Sequence, residues 1–580
     1  MKLLSISLDG KYKGLRTDTF DFSHSHGRLI ALIGLNGSGK SQLLELISET
    51  FAYIECYQRH DFKTYQPLGF AVSVIYQINL MNDPNVLSYP DELVNLDGNK
   101  PTLKVSIFKS GAVQTEVKND GVWNEINSKK RHFPTPKIIG YSSGLHENLQ
   151  RSFMKTATQF YDVMRIRSNR RKELIGRIDE VEVANINKRY LKRNRHIFSE
   201  PENYDEELNN LYLLQESDTV IPKNLFMDYD CCSLLMVAFS ILPADEINVI
   251  LSEIRHNIPT IIKLRYSLNA GIVGEDSLKD IRLLIRAGGE GCVQGVGQRT
   301  TDEQYDFYEL DFTEGIISLD MRREDVRERL KSQNYNDPLR LFGRLYKLQL
   351  LGVKNWGGNN LKKLRRNNFF ETVKKPLKTK LPISVELLEL SDQQGSYINF
   401  DDLSDGEAQL IQILAAARIF RDEQALFLMD EPETHLNPSW RTYFHQHLAA
   451  ANGIGGAWTD SSQTILSTHS PFMISSLRKN DVYRFERNEH DVITMTQAEN
   501  QTYGVSFDLL IKEYFDLQSL ISQTVVKDIK AHLPKNNLPD ERAAAWEWIN
   551  DNIGESMEKL TYCGNLKTNA IPVKSKYSKK

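Results

Sequence analysis

The chain lacks most of the features that would assign it to a class at a glance. Its five cysteines (Cys56, Cys231, Cys232, Cys292 and Cys563) form no CxxC pair and no metal-ligand spacing with histidines. That pattern argues against a structural zinc and for a reduced compartment, the cytoplasm. No stretch approaches the roughly 18 consecutive apolar residues of a membrane span, and the apolar run after Met1 is too short for a signal peptide. A transporter carrying its own membrane domain is thereby excluded, although a separate transporter ATPase subunit is not. The net charge of −4 offers no global attraction to polyanions, so any nucleic-acid surface must be a local patch. Heptads do not persist for three or four repeats anywhere, which speaks against a long coiled coil.

What the chain does contain begins at Arg28. The run RLIALIG is continuously apolar, as in a strand buried on both faces, and it feeds Gly34-Leu-Asn-Gly-Ser-Gly-Lys-Ser41, a full match to GxxxxGK[ST]. Such a loop turns successive amides toward phosphate oxygens, and the helix expected from Gln42 to about Tyr53 adds its positive N-terminus. Asn36, Gly37, Ser38, Gly39, Lys40, Ser41 and Gln42 are the candidate nucleotide-binding residues. Lys40 is expected to neutralise the β- and γ-phosphates of ATP, and the Ser41 hydroxyl to ligate Mg²⁺.

A second constellation lies near residue 430. Ala425–Met429 reads as the buried strand beside the phosphate-loop strand, ending in Asp430, a partner for the metal, and Glu431, a general base for water. His469 ends the strand TILSTHS, where its imidazole can reach a γ-phosphate; a purely structural histidine is the other reading. Ser404 and Gly406 in LSDGE open the apolar helix AQLIQILAAARIF, whose N-terminus is a further anion site. Because Gly34–Ser41 already cradles the phosphates of its own nucleotide, this second helix start makes most sense facing a nucleotide held by another copy of the chain.

Between these halves the sequence changes character. Residues 1–148 read as a strand-rich half with the phosphate loop, 149–382 as a mainly helical insertion, 383–500 as the second half, and 501–580 as C-terminal helices with a basic tail. PKIIGYSSG (Pro136–Gly144) reads as a strand returning to the core sheet. Gln77 and Gln150 are candidates for a metal-contacting glutamine, with a surface or core-edge role as the plainer reading of each. The glycine-rich stretch around Gly288 lacks a Lys-Ser ending and reads as a flexible loop. Two basic runs, Arg165–His196 and Lys354–Lys380, are candidate nucleic-acid surfaces, the second with Trp356, Phe369 and Phe370 interleaved for stacking; a solvated face or a protein-docking surface is the alternative.

Taken together, Gly34–Ser41, LSDGE (403–407), LFLMDE (426–431), the ETHLNP segment and His469 resemble the Walker A, signature, Walker B, D-loop and switch-histidine elements of an ABC-type ATPase head. The DEPETHLNP wording and the split head are similar to the SMC/RecF/OLD branch, and YSSGLHEN (141–148) with the insertion resembles defence-associated bacterial ATPases of the Septu, restriction and retron systems. The resemblance implies an α/β P-loop head, a mixed sheet with an antiparallel β subdomain, hydrolysing ATP with Mg²⁺. It implies that Ser404, Gly406 and Glu407 act in trans, in a homodimer or higher oligomer with ATP sandwiched between heads. It further implies an antiphage role in which a separate nuclease, of HNH type, is the effector, since no DxD set follows His469 and no HNH-like cluster is present. A DNA-repair ATPase that clamps DNA is the alternative.

Overall fold

Leu29–Ile33 (β3) is buried at every position, as are Ser462–Ser467 (β20) and all but the last residue of Ala425–Asp430 (β17). Strands without a polar face need cover on both sides, and a sheet flanked by helices supplies it. In the computed structural model these three join Asn224–Met227 (β11), Lys137–Ser142 (β8), Val482–Arg487 (β21) and Ile493–Gln497 (β22) in one sheet of order β11-β8-β17-β20-β3-β21-β22. All neighbours are parallel except the β21–β22 pair. The structure describes residues 1–63, 66–81, 83, 86–90, 93, 100–126, 132–143, 149–174, 176–199, 215–216, 221–268, 275–299, 310–356, 358–364, 381–454, 457–458, 461–515, 521–534, 536 and 538–568.

One expectation needs correction. β17 is not beside β3, because β20 lies between them and hydrogen-bonds to both. β20, SQTILS, is more polar in composition than β17 yet buried at every position, so composition alone does not mark it as the strand for that place. The register still gathers the strand ends, with Asp430 opposite Ser142 on one side and Ser467 on the other. The crevice outside these carboxyl ends is where ligands bind in open parallel sheets.

A second sheet is wholly antiparallel: Asp18–Asp21 (β2), Lys2–Asp9 (β1), Ala71–Gln77 (β4), Thr102–Ile107 (β5), Val113–Asn119 (β6) and Val122–Glu125 (β7). Alternate residues of β4 and β5 are buried, so one face covers the core. Segment 149–382 is mostly helical among its described residues, yet it contributes strands. β11 extends the core sheet, while Ile258–Ser267 (β12), Val293–Gly295 (β13) and Glu314–Asp320 (β14) form a third sheet with Ile383–Ser391 (β15) and Tyr397–Asn399 (β16). The glycine-rich stretch is accordingly the end of helix Glu275–Gly288 and the turn into β13. Two short ribbons pair Phe198–Ser199 (β9) with Gln215–Glu216 (β10), and Gly453–Ile454 (β18) with Ala457–Trp458 (β19).

The segment is tied to the phosphate-loop helix Lys40–Gln58 by buried polar contacts. Lys155 of the helix Gln150–Leu174 pairs with Glu49, and Ser152 Oγ lies 2.6 Å from Ser48 Oγ. Glu55 accepts the amides of Lys223 and Asn224 at 2.7 and 3.2 Å, which pins the edge strand β11. Residues Met1–Tyr503 form one unit and Gly504–Lys580 another. The second holds helices Phe507–Tyr514, Gln523–His532, Pro539–Asn552 and Met557–Thr568, with the His532 ring stacked on Trp548 at 3.6 Å. Most of the Lys354–Lys380 run, residues 144–148 of YSSGLHEN and tail residues 569–580 lie outside the described residues. Among the described residues no helix is long and apolar enough to cross a membrane. The architecture is that of an α/β P-loop NTPase head, a mixed sheet core with an antiparallel β subdomain, divided by a large mainly helical segment.

Candidate functional site

The loop after β3 is shaped by glycine. Gly34 has φ of +141°, and a Cβ there would stand 2.3 Å from the carbonyl oxygen of Phe485 in β21. Only glycine permits that approach. Lys40 folds back over the loop, donating to the carbonyl oxygens of Gly34 and Leu35 at 2.8 and 3.2 Å. Ser38 Oγ is buried with no hydrogen-bond partner among the described residues, whereas Asn36 and Gly37 are exposed. Gln42 accepts from the Gly14 amide at 2.9 Å, so its side chain braces the loop against the antiparallel sheet.

Ser41 and Asp430, 389 positions apart, meet at 2.8 Å between Oγ and Oδ1. Ser467 Oγ donates to the same carboxylate oxygen. Burial raises the Asp430 carboxyl above its usual range, against the lowering effect of these two hydroxyls. Glu431 follows with φ of +50°, a left-handed conformation that few non-glycine residues adopt. Its Oε1 lies 3.4 Å from His469 Nε2, and that contact, first among the causes, lowers the Glu431 carboxyl and favours its charged form. The structure thus brings Lys40, Ser41, Asp430, Glu431 and His469 to one place.

The chemistry of this donor set fits a magnesium nucleotide. Loop amides, a lysine and a helix start suit phosphate, the unpartnered Ser38 hydroxyl adds a donor, and a serine–aspartate oxygen pair suits a hard cation. Lys40 has its own pH dependence. Burial, the largest cause, lowers its pKa to about 8, and Glu431, Asp430 and Glu433 push the other way. The cation is present below that value and lost above it. Nucleotide affinity, measured by titration with a fluorescent ATP analogue, should therefore weaken about tenfold between pH 7 and pH 9. A flat profile would remove Lys40 from phosphate binding.

Ser404 begins the helix Asp405–Ile419 with a reciprocal cap. Its hydroxyl lies 3.3 Å from the Glu407 amide that donates to it, and Glu407 Oε2 accepts from the Ser404 amide at 3.0 Å. Ser404 is exposed and Gly406 buried, and among the described residues no hydrogen bond joins Ser404, Gly406 or Glu407 to Gly34–Ser41. Gln77 ends β4 and donates to the Lys100 carbonyl at 3.4 Å; Gln150 lines a cavity with Phe153, Phe226 and Tyr346. The contact of Gln77 is thus with Lys100, outside the site residues above.

Three residues join the site that the sequence reading did not name. Ser143, just after β8, donates its hydroxyl to the Glu431 carbonyl and sits 2.8 Å from Thr434 Oγ1. Gln409 donates to the Pro432 carbonyl at 2.7 Å and accepts from the His435 amide at 3.1 Å. Glu433 is buried against Thr468 and His469. Repetition within DEPETH could have flagged Glu433 as a second acid near the site; nothing in the sequence flags Ser143 or Gln409.

The chain matches no curated protein. Among solved structures it is similar to the Smc head domain with an extended coiled coil bound to the C-terminal domain of ScpA, from Pyrococcus furiosus. That match has 12% identity and a TM-score of 0.29, covering 89% of this chain and 100% of the other. The Smc head with a coiled coil and joint from Pyrococcus yayanosii gives 13%, 0.31, 89% and 100%. The SMC head domain from Thermotoga maritima gives 11%, 0.29, 86% and 100%. A family profile described as "AAA domain, putative AbiEii toxin, Type IV TA system" matches residues 29–475, from the phosphate-loop strand past His469. With that match spanning most of the chain, and the loop and paired carboxylates in place, the chain is a P-loop ATPase belonging to this AAA-domain family.

Proposed function

We propose that the chain is an ATP-hydrolysing subunit of a bacterial antiphage defence system, of the Septu-like kind, that dimerises around ATP and controls a separate nuclease. The observation that carries the hydrolytic part is the meeting of Ser41 with Asp430 beside the Glu431–His469 pair. When bound, Mg²⁺ supplies charge neutralisation at the β- and γ-phosphates. Ser41 and Asp430 would hold it, Lys40 would balance phosphate charge, Glu431 would take a proton from the attacking water, and His469 would steady the γ-phosphate. Asn36–Gln42 form the rest of the cradle. Ser404, Gly406 and Glu407 serve the partner's nucleotide, consistent with an exposed, already capped helix start. The defence setting is supported by the family description, which names a toxin of a toxin–antitoxin system. The HNH-type effector rests on the sequence, where no DxD set or HNH-like cluster is found.

The purified chain with ATP and Mg²⁺ should release phosphate and leave DNA and RNA uncut. Degradation of either by the chain alone, persisting in Glu431→Gln, would overturn the proposed division of labour. Protection of cells against phage that requires both an intact Lys40 and the product of a neighbouring nuclease gene would support it.

A further inference from the structure

Glu433 plays no part in the site as proposed above, yet it is only 5% exposed. It follows the reversal at Glu431, and its Oε1 accepts two hydrogen bonds from the end of β20. One comes from Thr468 Oγ1 at 2.5 Å and the other from the His469 amide at 3.1 Å. Thr468 Oγ1 in turn accepts from the Ser470 amide at 2.9 Å, and the Thr468 amide donates to the Leu32 carbonyl at 3.0 Å. The three residues 468–470 are thus fixed through one carboxyl. Its other oxygen, Oε2, is buried without a hydrogen-bond partner among the described residues. A buried carboxyl with an orphaned oxygen is a cost that a small apolar residue would avoid. Burial also pushes this carboxyl above its usual range.

The same turn is gripped from its other side. Gln409 holds Pro432 and His435, and a Cβ at Gly406 would stand 2.8 Å from the His435 carbonyl oxygen. The helix that starts at Ser404 therefore packs directly on the turn that carries Glu433.

We propose that Glu433 is a positioning residue: it fixes the backbone of His469, so that the ring stays beside Glu431, and sets that histidine in a constant relation to the Ser404 helix. The inference rests on the roles proposed above for His469 and Ser404. It makes the turn between the paired carboxylates and Pro438 a rigid part of the site.

The test uses the full chain and steady-state ATP turnover. Glu433→Ala should lower kcat about tenfold, the scale of a misplaced group, with KM for ATP changed less than about twofold. Glu433→Gln keeps an acceptor oxygen for Thr468 and His469 and should recover kcat to within about threefold of the parent. The double variant with His469→Ala should be no slower than the slower single, because both changes remove the same function. Unchanged kcat in Glu433→Ala overturns the proposal, and so does a double variant whose losses multiply. If Glu433→Ala does not fold, Thr468→Val, which removes one donor to Glu433 together with the acceptor of the Ser470 amide, takes its place: a lower kcat at constant KM supports the proposal and an unchanged kcat overturns it. A parental rate in His469→Ala would instead overturn the role of His469 itself, a result distinct from either outcome at Glu433.

Discussion

Glu431→Gln should slow ATP hydrolysis by roughly 100- to 10,000-fold, the span expected of a general base, and leave nucleotide affinity within about twofold. Glutamine has the same shape and keeps the backbone at φ of +50°, so the turn toward Glu433 survives. What is lost is a carboxylate held in its charged form by His469, 3.4 Å away. An amide cannot accept the proton of the attacking water. Lys40, Ser41 and Asp430 are untouched, so binding persists and an ATP-bound closed dimer should accumulate. Single-turnover kinetics and equilibrium binding on the same preparation separate the two effects. A parental rate would remove Glu431 from catalysis.

Ser404→Arg should abolish turnover while a single chain still binds ATP. The side chain is exposed at a helix start, and losing its cap costs about 1 kcal/mol, too little to unfold a chain of this size. A cation placed there blocks the surface proposed to meet the partner's nucleotide. Lys40→Ala fails for the opposite reason, through its own phosphate loop. A mixed dimer has one intact site, and both changes fall in the other, so an equal mixture, half of it mixed dimers, should regain about a quarter of the parental rate if the two sites act independently. Phosphate release from the variants alone and mixed measures this. Normal turnover by Ser404→Arg alone would sink the assignment in trans.

The parts of the molecule that could be read in advance are those whose physics is local. Gly34–Ser41 is legible because the loop's own geometry demands its glycines, and β17 because an apolar run ending in two acids has few other uses. In β4 and β5 the buried positions alternate with partly exposed ones, a local pattern that puts one face on the core. Less legible were features that exist only through tertiary neighbours. β11 is four residues long and looks like any short apolar run, yet Glu55 makes it a sheet edge. The order of β17 and β20 cannot be told from two runs of equal burial. Gln409 and Glu433 look like ordinary polar residues of a helix and a turn until their partners, 26 and 36 positions away, are placed beside them.

The pairing of β3 has a consequence for how the protein is made. Among the described residues β3 hydrogen-bonds to β20 and β21, which leave the ribosome roughly 430 residues after it. At about 5–20 residues per second, the phosphate-loop strand waits roughly 20 to 90 s for a neighbour. During that interval an apolar strand with open edges is exposed to other chains, the state most prone to aggregation and most in need of chaperones. ATP cannot assist this early phase, since half of its binding site has not yet been synthesised. A chain truncated before Ser462 would lack His469 and both of these strand neighbours of β3, and should therefore hydrolyse no ATP.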